Sequence, residues 1–437
     1  MLEVPEIHFV KRGNVHLAYH VAGIGPPDIV FVGGSFSTTL AWREHASARG
    51  LRRLASFSRL VTYDQRGMKA SDSIDFAAVP TIDDLVADLE AVVAARGIEN
   101  PVLFGMHNGG AVAAVFASRH PVQQLVVCNT WARLEYADDY RIGFTAQELD
   151  RFGRVYEESW GQGRISKYWA LRQPEIDTAW MELESTARNQ AVILFQMNRD
   201  YDIRHVLPTI EAPTLVIHLA DNRMVPHEFG RYVAESIPGA RLALVPGEDQ
   251  VFLHNYSDEV IDELELFVRG TRTPFVDHLT TTMLYTDIVN STRMAADLGN
   301  ERWSQLINLH NGRMREHIKK SRGHEVKCTG DGFLVAFDET ADAVRCALAA
   351  EDSIAGLGIE LRAGVHAGEV ARMGSHDLAG VAVHFAQRLC DRAEAGQVLV
   401  SDDVRNACGG SGLGFEERGV AQFKGIPGEW EVFEACR

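Results

Sequence analysis

The chain has 437 residues, with 43 Lys and Arg against 60 Asp and Glu and a formal charge of −17 at pH 7, a length that corresponds to roughly two or three domains. With 46% hydrophobic and 24% charged residues, its composition is that of a globular protein, which excludes the disordered, collagen-like and disulfide-scaffold classes. The acidic balance persists in the C-terminal part, with 18 basic against 24 acidic side chains over residues 272–437, and argues against nucleic acid as the main partner, because that affinity comes from clustered Lys and Arg.

The N-terminus, MLEVPEIHFVKRGNV, reaches charge before any apolar stretch of signal-peptide length, so no secretion signal is expected and the protein is placed in the cytoplasm. Short β-branched runs follow at Asp28–Val32, Leu60–Tyr63, Val102–Phe104, Leu125–Cys128, Thr214–Leu219 and Leu242–Val245, with amphipathic stretches such as Ile82–Arg96 between them. This rhythm predicts a mostly parallel sheet with helices on both faces. The longest uncharged run, Pro101–Ser118, is interrupted by His107, Asn108 and three glycines, which fits strand, turn and helix and predicts no membrane span. Residues from about 145 to 207 break the rhythm. They read as helices rich in aromatics (Phe152, Tyr156, Trp160, Tyr168, Trp169, Trp180, Phe195) and predict a helical lid over the sheet edge. RGTRTPFVD (Arg269–Asp277) carries the linker, placed at 271–277. The six cysteines form no CxxC pair and are expected to stay reduced.

Val102–Pro121 has the strand, sharp turn and helix of a nucleophile elbow, G-x-S-x-G, but its five residues are Gly105, Met106, His107, Asn108 and Gly109. Together with FVGG at Phe31–Gly34, YDQRG at Tyr63–Gly67 and HLADNRMVP at His218–Pro226, the stretch resembles the α/β-hydrolase fold over about residues 5–270. The resemblance puts the family's acid at Asn222, beside Asp221, and its base at Gln250 in PGEDQ. Nucleophile, acid and base positions (His107, Asn222, Gln250) thus all lack the required group. The expectation is a non-hydrolytic domain whose aromatic-lined cleft binds an apolar or ester-like small molecule, or a partner, as a sensor.

From Leu279 the pattern changes. LTTTMLYTDIVNST (Leu279–Thr292) reads as a strand ending on Asp287, followed by a turn that opens a helix around Ala295–Lys319, and HEVKCTGDGFLVAF (His324–Phe337) reads as two strands around a Gly330-Asp331-Gly332 tip. If the sheet joins them, Asp287 and Asp331 form an oxygen-ligand site for Mg²⁺ or Mn²⁺ completed by substrate phosphates. With HDLAGVAVHFAQR (His376–Arg388), these motifs resemble the class III nucleotide cyclase catalytic domain over residues 278–437, an α+β ferredoxin-like fold. The fusion behind a hydrolase fold over 1–270 is similar to actinobacterial adenylate cyclases.

The resemblance implies that Asp287, Asp331 and the carbonyl of Ile288 hold two metal ions, Mg²⁺ or Mn²⁺. It implies that Lys327 and Asp377 read the purine, and this pair suits adenine, an ammonium donating to N1 and a carboxylate accepting from the 6-amino group. Arg388 matches the transition-state arginine, His384 stands where asparagine is commoner, and Lys424 in QFKGIPG matches a triphosphate contact. The implied activity is conversion of ATP to 3′,5′-cyclic AMP and pyrophosphate in a homodimer whose sites draw residues from both chains. The other readings are a ligand-binding signalling module with an impaired cyclase site, motivated by His384, and an esterase with a regulatory cyclase-like domain.

Overall fold

The computed structural model describes residues 4–165, 178–248, 257–373 and 377–436, and Tyr168, Trp169 and Gln250 lie outside the described residues. The chain divides into two compact units, Val4–Phe275 and Val276–Arg437.

The first unit is built on eight strands: β1 (Ile7–Arg12), β2 (Val15–Ala22), β3 (Asp28–Val32), β4 (Arg59–Tyr63), β5 (Val102–Met106), β6 (Gln124–Cys128), β7 (Thr214–Leu219) and β8 (Arg241–Val245). Their order is β1-β2-β4-β3-β5-β6-β7-β8. From β4 to β8 all pairings are parallel, as the strand-helix rhythm predicts, and β1 and β2 add an antiparallel hairpin. That hairpin was not expected from the sequence. β1 is half-exposed along its length and carries Lys11 and Arg12, so it lacks the continuous apolar run of the central strands. Those strands are buried on both faces because successive side chains point to opposite sides: Val30 and Val32 join one core, with Leu103, Val127 and Val216, while Ile29 and Phe31 join the other, with Phe104, Val126 and Ile217.

Helix Ile82–Ala95 starts at a Thr81–Asp84 capping box, which satisfies two end groups of the helix reciprocally. The expected lid follows β6: helices Ala146–Ser159, Thr178–Ser185 and Arg188–Asp200, with no strand among the described residues before β7. Tyr156 stacks on Trp160 and on Phe195, with ring centroids 5.8 and 4.9 Å apart. The buried carboxylate of Glu182 accepts the backbone N–H groups of Gly161, Gly163 and Ile165 at 2.7, 3.0 and 3.0 Å, so one side chain fixes the turn that follows the first lid helix. Helix Ser257–Arg269 closes the unit, and after it residues 270–276 carry no regular element.

The second unit contains β9 (Asp277–Ile288), β10 (His324–Cys328), β11 (Gly332–Phe337), β12 (Leu361–Met373), β13 (Asp377–Ala379), β14 (Val398–Ser401), β15 (Gly414–Phe423) and β16 (Ile426–Cys436). Its sheet runs β10-β11-β9-β12-β14-β16-β15, with β13 folded back on β12. The first four strands and the helices Asn300–Lys320 and Thr340–Ala355 form the β-α-β-β-α-β ferredoxin-like unit, with both helices in one core against Leu284, Phe333 and Val365. Helix Val381–Arg392 packs on the other face through Phe385, Ala386 and Leu389. The single helix expected at 295–319 is two helices, Ser291–Leu298 and Asn300–Lys320, divided at Gly299 with φ 75°, a conformation that interrupts a helix and that glycine adopts without steric cost.

Candidate functional site

In the first unit, β5 ends at Met106 and the chain turns through His107, at φ 53° and ψ −127°, into helix Asn108–Ala117. The turn is fixed on both sides. His107 N–H donates to the Cys128 carbonyl at 3.1 Å, and the His107 carbonyl accepts from Gly110 N–H at 3.1 Å and from Thr130 Oγ1 at 2.6 Å. Gly109 has no room for a side chain, since a Cβ there would lie 2.1 Å from Val32 O. This is the strained geometry of a nucleophile elbow, presenting an imidazole where acyl transfer needs a hydroxyl.

The residue after the elbow centre was missed in the sequence. Asn108 Oδ1 accepts from Ser35 N–H at 2.8 Å, and its Nδ2 donates to Gln65 Oε1 at 3.4 Å. Ser35 follows Gly33 and Gly34 at the predicted oxyanion-loop position, and its backbone N–H already donates to a side-chain carbonyl. A polar residue inside Met-His-Asn-Gly-Gly was the available signal. At the predicted acid position, Asn222 is buried and its Oδ1 accepts from Met224 N–H and Val225 N–H at 3.0 Å each, which makes it the brace of its own turn. Asp221 beside it is exposed. In front of the elbow lies a cavity of about 90 Å³, walled by Phe36, Trp131, Phe152, Tyr156 and Phe195. A second chamber of about 290 Å³ shares Phe144, Phe152, Tyr156 and Met224 with it.

In the second unit the register places Asp287, next to last in β9, opposite Gly332 of β11 on one side and Arg362 of β12 on the other. Asp331 immediately precedes Gly332, so the two aspartates stand at the ends of neighbouring strands. The close approach requires glycine at 332, where a Cβ would fall 2.4 Å from Thr286 O. Arg362 donates to Asp287 Oδ2 from Nε at 3.0 Å and also from its Nη2, and its Nη1 donates to Asp391 O at 3.1 Å. Both contacts to Asp287 use Oδ2, which leaves Oδ1 without a hydrogen-bond partner among the described residues. Burial lowers the Arg362 pKa, but the hydrogen bond and charge of Asp287 outweigh it and hold the guanidinium above its ordinary value. Ile288 follows, buried, at the end of β9. Two carboxylates and a backbone carbonyl are hard oxygen donors and fit Mg²⁺ or Mn²⁺, ions that bind through one or two carboxylates plus phosphates. Among the described residues no group of three or more His, Cys, Asp and Glu side chains forms. Beside Asp331, Ser291, Thr292 and Trp303 line a hollow of about 390 Å³.

A family model described as "Adenylate and Guanylate cyclase catalytic domain" matches residues 276–434, and one described as "Alpha/beta hydrolase family" matches residues 29–263. The chain is an α/β-hydrolase family member fused to a nucleotide cyclase domain. A pimeloyl-[acyl-carrier protein] methyl ester esterase of Neisseria meningitidis is 28% identical over 172 residues, 37% of this chain and 66% of that protein. A hydrolase of Pseudomonas aeruginosa is 22% identical and covers 60% of this chain and 98% of its own, with a TM-score of 0.51. The adenylyl cyclase CyaB of Pseudomonas aeruginosa is 21% identical and covers 38% of this chain and 97% of its own, with a TM-score of 0.36.

The remaining predicted positions lie on the cyclase domain. Lys327 is exposed on the edge strand β10, just past a register shift between Glu325 and Lys327. Asp377 opens β13, and the neighbouring Leu378 packs into one cluster with Leu334 and Val326 of β11 and β10. β13 therefore crosses the sheet face toward the strand that carries Lys327. His384 and Arg388 lie one turn apart on helix Val381–Arg392, with His384 exposed. Arg388 Nη1 pairs with Asp391 at 3.1 Å, the two side chains being 41% and 47% exposed. Pairs this exposed contribute about 0–1 kcal/mol, so Arg388 is released to another anion at little cost. Lys424 is exposed at the β15–β16 tip. β15 is four strands from β9 in the sheet order, or about 19 Å at ~4.8 Å per strand, so Lys424 does not meet Asp287 within one domain. Arg362 was not singled out in the sequence. In LRAGVHAG it is one arginine in an apolar strand, and only the register reveals its partner.

Proposed function

We propose that this protein is an adenylate cyclase, converting ATP to 3′,5′-cyclic AMP and pyrophosphate in the cytoplasm, regulated by its hydrolase-fold domain. The observation that carries this reading is the alignment of Asp287 between Gly332 and Arg362, with Asp331 at the adjoining strand end and both Arg362 contacts on Oδ2 of Asp287. Asp287, Asp331 and the Ile288 carbonyl would hold two divalent ions, which when bound lower the pKa of the ribose 3′-hydroxyl and neutralise the triphosphate. The residues of the chain then position the reaction. Lys327 donates to adenine N1 and Asp377 accepts from its amino group. Arg388, with His384 beside it, stabilises charge on the α-phosphate during in-line attack, and Lys424 holds the triphosphate tail. The width of the sheet between Lys424 and Asp287 supports a homodimer in which each site draws Asp287, Asp331 and Lys327 from one protomer and Arg388, His384 and Lys424 from its partner.

Purified protein with ATP and Mn²⁺ or Mg²⁺ should release cyclic AMP and pyrophosphate in equal amounts, and the absence of product with either ion at dimer-forming concentrations would refute the reading. Lys327→Glu should lower ATP use by about tenfold or more, the cost of losing one charge-assisted hydrogen bond. An unchanged ratio of ATP to GTP turnover in that variant would show that Lys327 does not read the base. His384 also supports the impaired-site reading, which gains ground only if the wild type is inactive and His384→Asn is active.

The hydrolase-fold domain is proposed to be a non-hydrolytic sensor for an apolar small molecule. The imidazole at the elbow centre, the amide at the acid position and the internal partner of Ser35 N–H support this. A short-chain p-nitrophenyl ester should show no turnover above background, and turnover that disappears in His107→Ala would overturn it.

A further inference from the structure

Helix Val381–Arg392, which carries His384 and Arg388, is seated on β12 and tied to it by one side chain. The carbonyls of its last turn lie beyond the reach of the helix's own N–H groups. Ala393 N–H takes those of Leu389 and Cys390 at 3.0 and 3.1 Å, and Arg362 Nη1 takes that of Asp391 at 3.1 Å. A guanidinium placed there also meets the negative end of the helix dipole. The same guanidinium donates to Asp287 Oδ2 from Nε and Nη2, and the Arg362 carbonyl accepts from Cys390 Sγ at 3.4 Å. Two residues further along β12, a Cβ on Gly364 would lie 2.2 Å from Ala386 O and 2.3 Å from Cys390 N. Helix and strand are therefore in backbone contact beside the tie.

We infer that Arg362 is a positioning residue for both half-sites of the protomer: two arms of its fork hold Asp287, and the third holds the helix that presents Arg388. The three donors point in fixed directions from one planar group, which an ammonium cannot reproduce. This inference rests on the shared-site homodimer reading, in which the two half-sites joined by one Arg362 serve different active sites.

Full-length Arg362→Gln should lose cyclic AMP production by about a hundredfold, about tenfold from each half-site. Two measurements without turnover separate the halves. Mn²⁺ binding followed by electron paramagnetic resonance should weaken by about tenfold. Amide exchange over residues 389–393 should quicken by about tenfold, whereas Asp287→Ala should leave it unchanged, since Arg362 there keeps the Asp391 carbonyl. Unchanged exchange in Arg362→Gln, or unchanged Mn²⁺ binding, would overturn the inference. Subunit mixing supplies the activity test. Asp287→Ala mixed with Arg388→Ala is the reference, and its failure counts against the shared site, leaving the binding and exchange measurements to decide the role of Arg362. Mixed with either of those variants, Arg362→Gln should restore only about a tenth of the reference activity, because every site in a mixed dimer then contains at least one loosened half. Full restoration with Arg388→Ala would confine Arg362 to the Asp287 half, and full restoration with Asp287→Ala would confine it to the helix. Either result overturns the inference. Arg362→Lys keeps the charge and loses the fork, so it should match Arg362→Gln in all three measurements, and recovery of wild-type behaviour by lysine would also overturn it.

Discussion

Asp287→Ala should reduce cyclic nucleotide production by more than about a thousandfold while leaving the cyclase domain folded. Loss of groups that merely orient metal ligands costs 10–100-fold, and Asp287 is proposed as a ligand itself, so its removal takes away both the ion and the charge that positions it. The side chain is partly exposed at a strand end and its packing contribution is small. What the variant leaves behind is an Arg362 guanidinium, 27% exposed, that keeps its hydrogen bond to the Asp391 carbonyl and can turn its other N–H groups to water. Circular dichroism and thermal melting should therefore change little. Arg388→Ala should also inactivate, without affecting metal binding. If each active site is shared, mixing the two inactive variants should restore activity to about a quarter of the wild type, because half of the dimers formed at random carry one intact site of two. Absence of any restoration in a mixture shown to exchange subunits would exclude the shared site, while Asp287→Ala alone retaining more than a tenth of the activity would remove Asp287 from the chemistry.

The residues that could be read from the sequence are those whose function depends on local conformation. The elbow was legible because a strained strand-to-helix turn requires small residues at fixed offsets, and Gly105 and Gly109 occupy them. The Gly330-Asp331-Gly332 tip was legible for the same reason, with Gly330 at φ 102° and Gly332 against Thr286 O. Arg362 and Asn108 were not, because each acquires its meaning from a partner that the sheet supplies: Arg362 is 75 residues from Asp287, and Asn108 is 73 residues from Ser35. The β1–β2 hairpin escaped because its first strand is half-exposed and charged, and the split of the expected helix at Gly299 escaped because one glycine within a helical pattern is usually tolerated. Local rules thus identified where chemistry could sit in both domains. Only the folded contacts showed what restrains it: Arg362 on the Asp287 carboxylate across the strands, and Asn108 on the Ser35 amide from the start of its helix.

The cyclase domain should lose stability as the pH falls from about 6.5 to about 4, and His366 should account for much of that loss. Its ring lies in β12 at 5% exposure, with Nδ1 2.9 Å from Ser401 Oγ and centroids 4.2 Å from Phe385 and 6.0 Å from Trp430. Burial in this apolar setting lowers its pKa to about 4, whereas an unfolded histidine titrates near 6.5. Between these values the unfolded chain binds a proton that the folded domain refuses, so stability is complete above the unfolded pKa and declines as acid is added, by about 3 kcal/mol at the foot of the window. Urea unfolding of wild type and His366→Gln at a series of pH values isolates this group, since the other titrating residues are common to both. The difference between the two curves should shrink by about 3 kcal/mol between neutral pH and pH 4, and parallel curves would show that His366 is not buried neutral. The consequence reaches the reaction through Phe385. This ring belongs to the helix that presents His384 and Arg388, so a charge forced beneath it disturbs the surface on which the proposed transition-state arginine stands. Cyclase activity should accordingly fall in acid at pH values where the domain is still folded, and His366→Gln should shift that fall to lower pH.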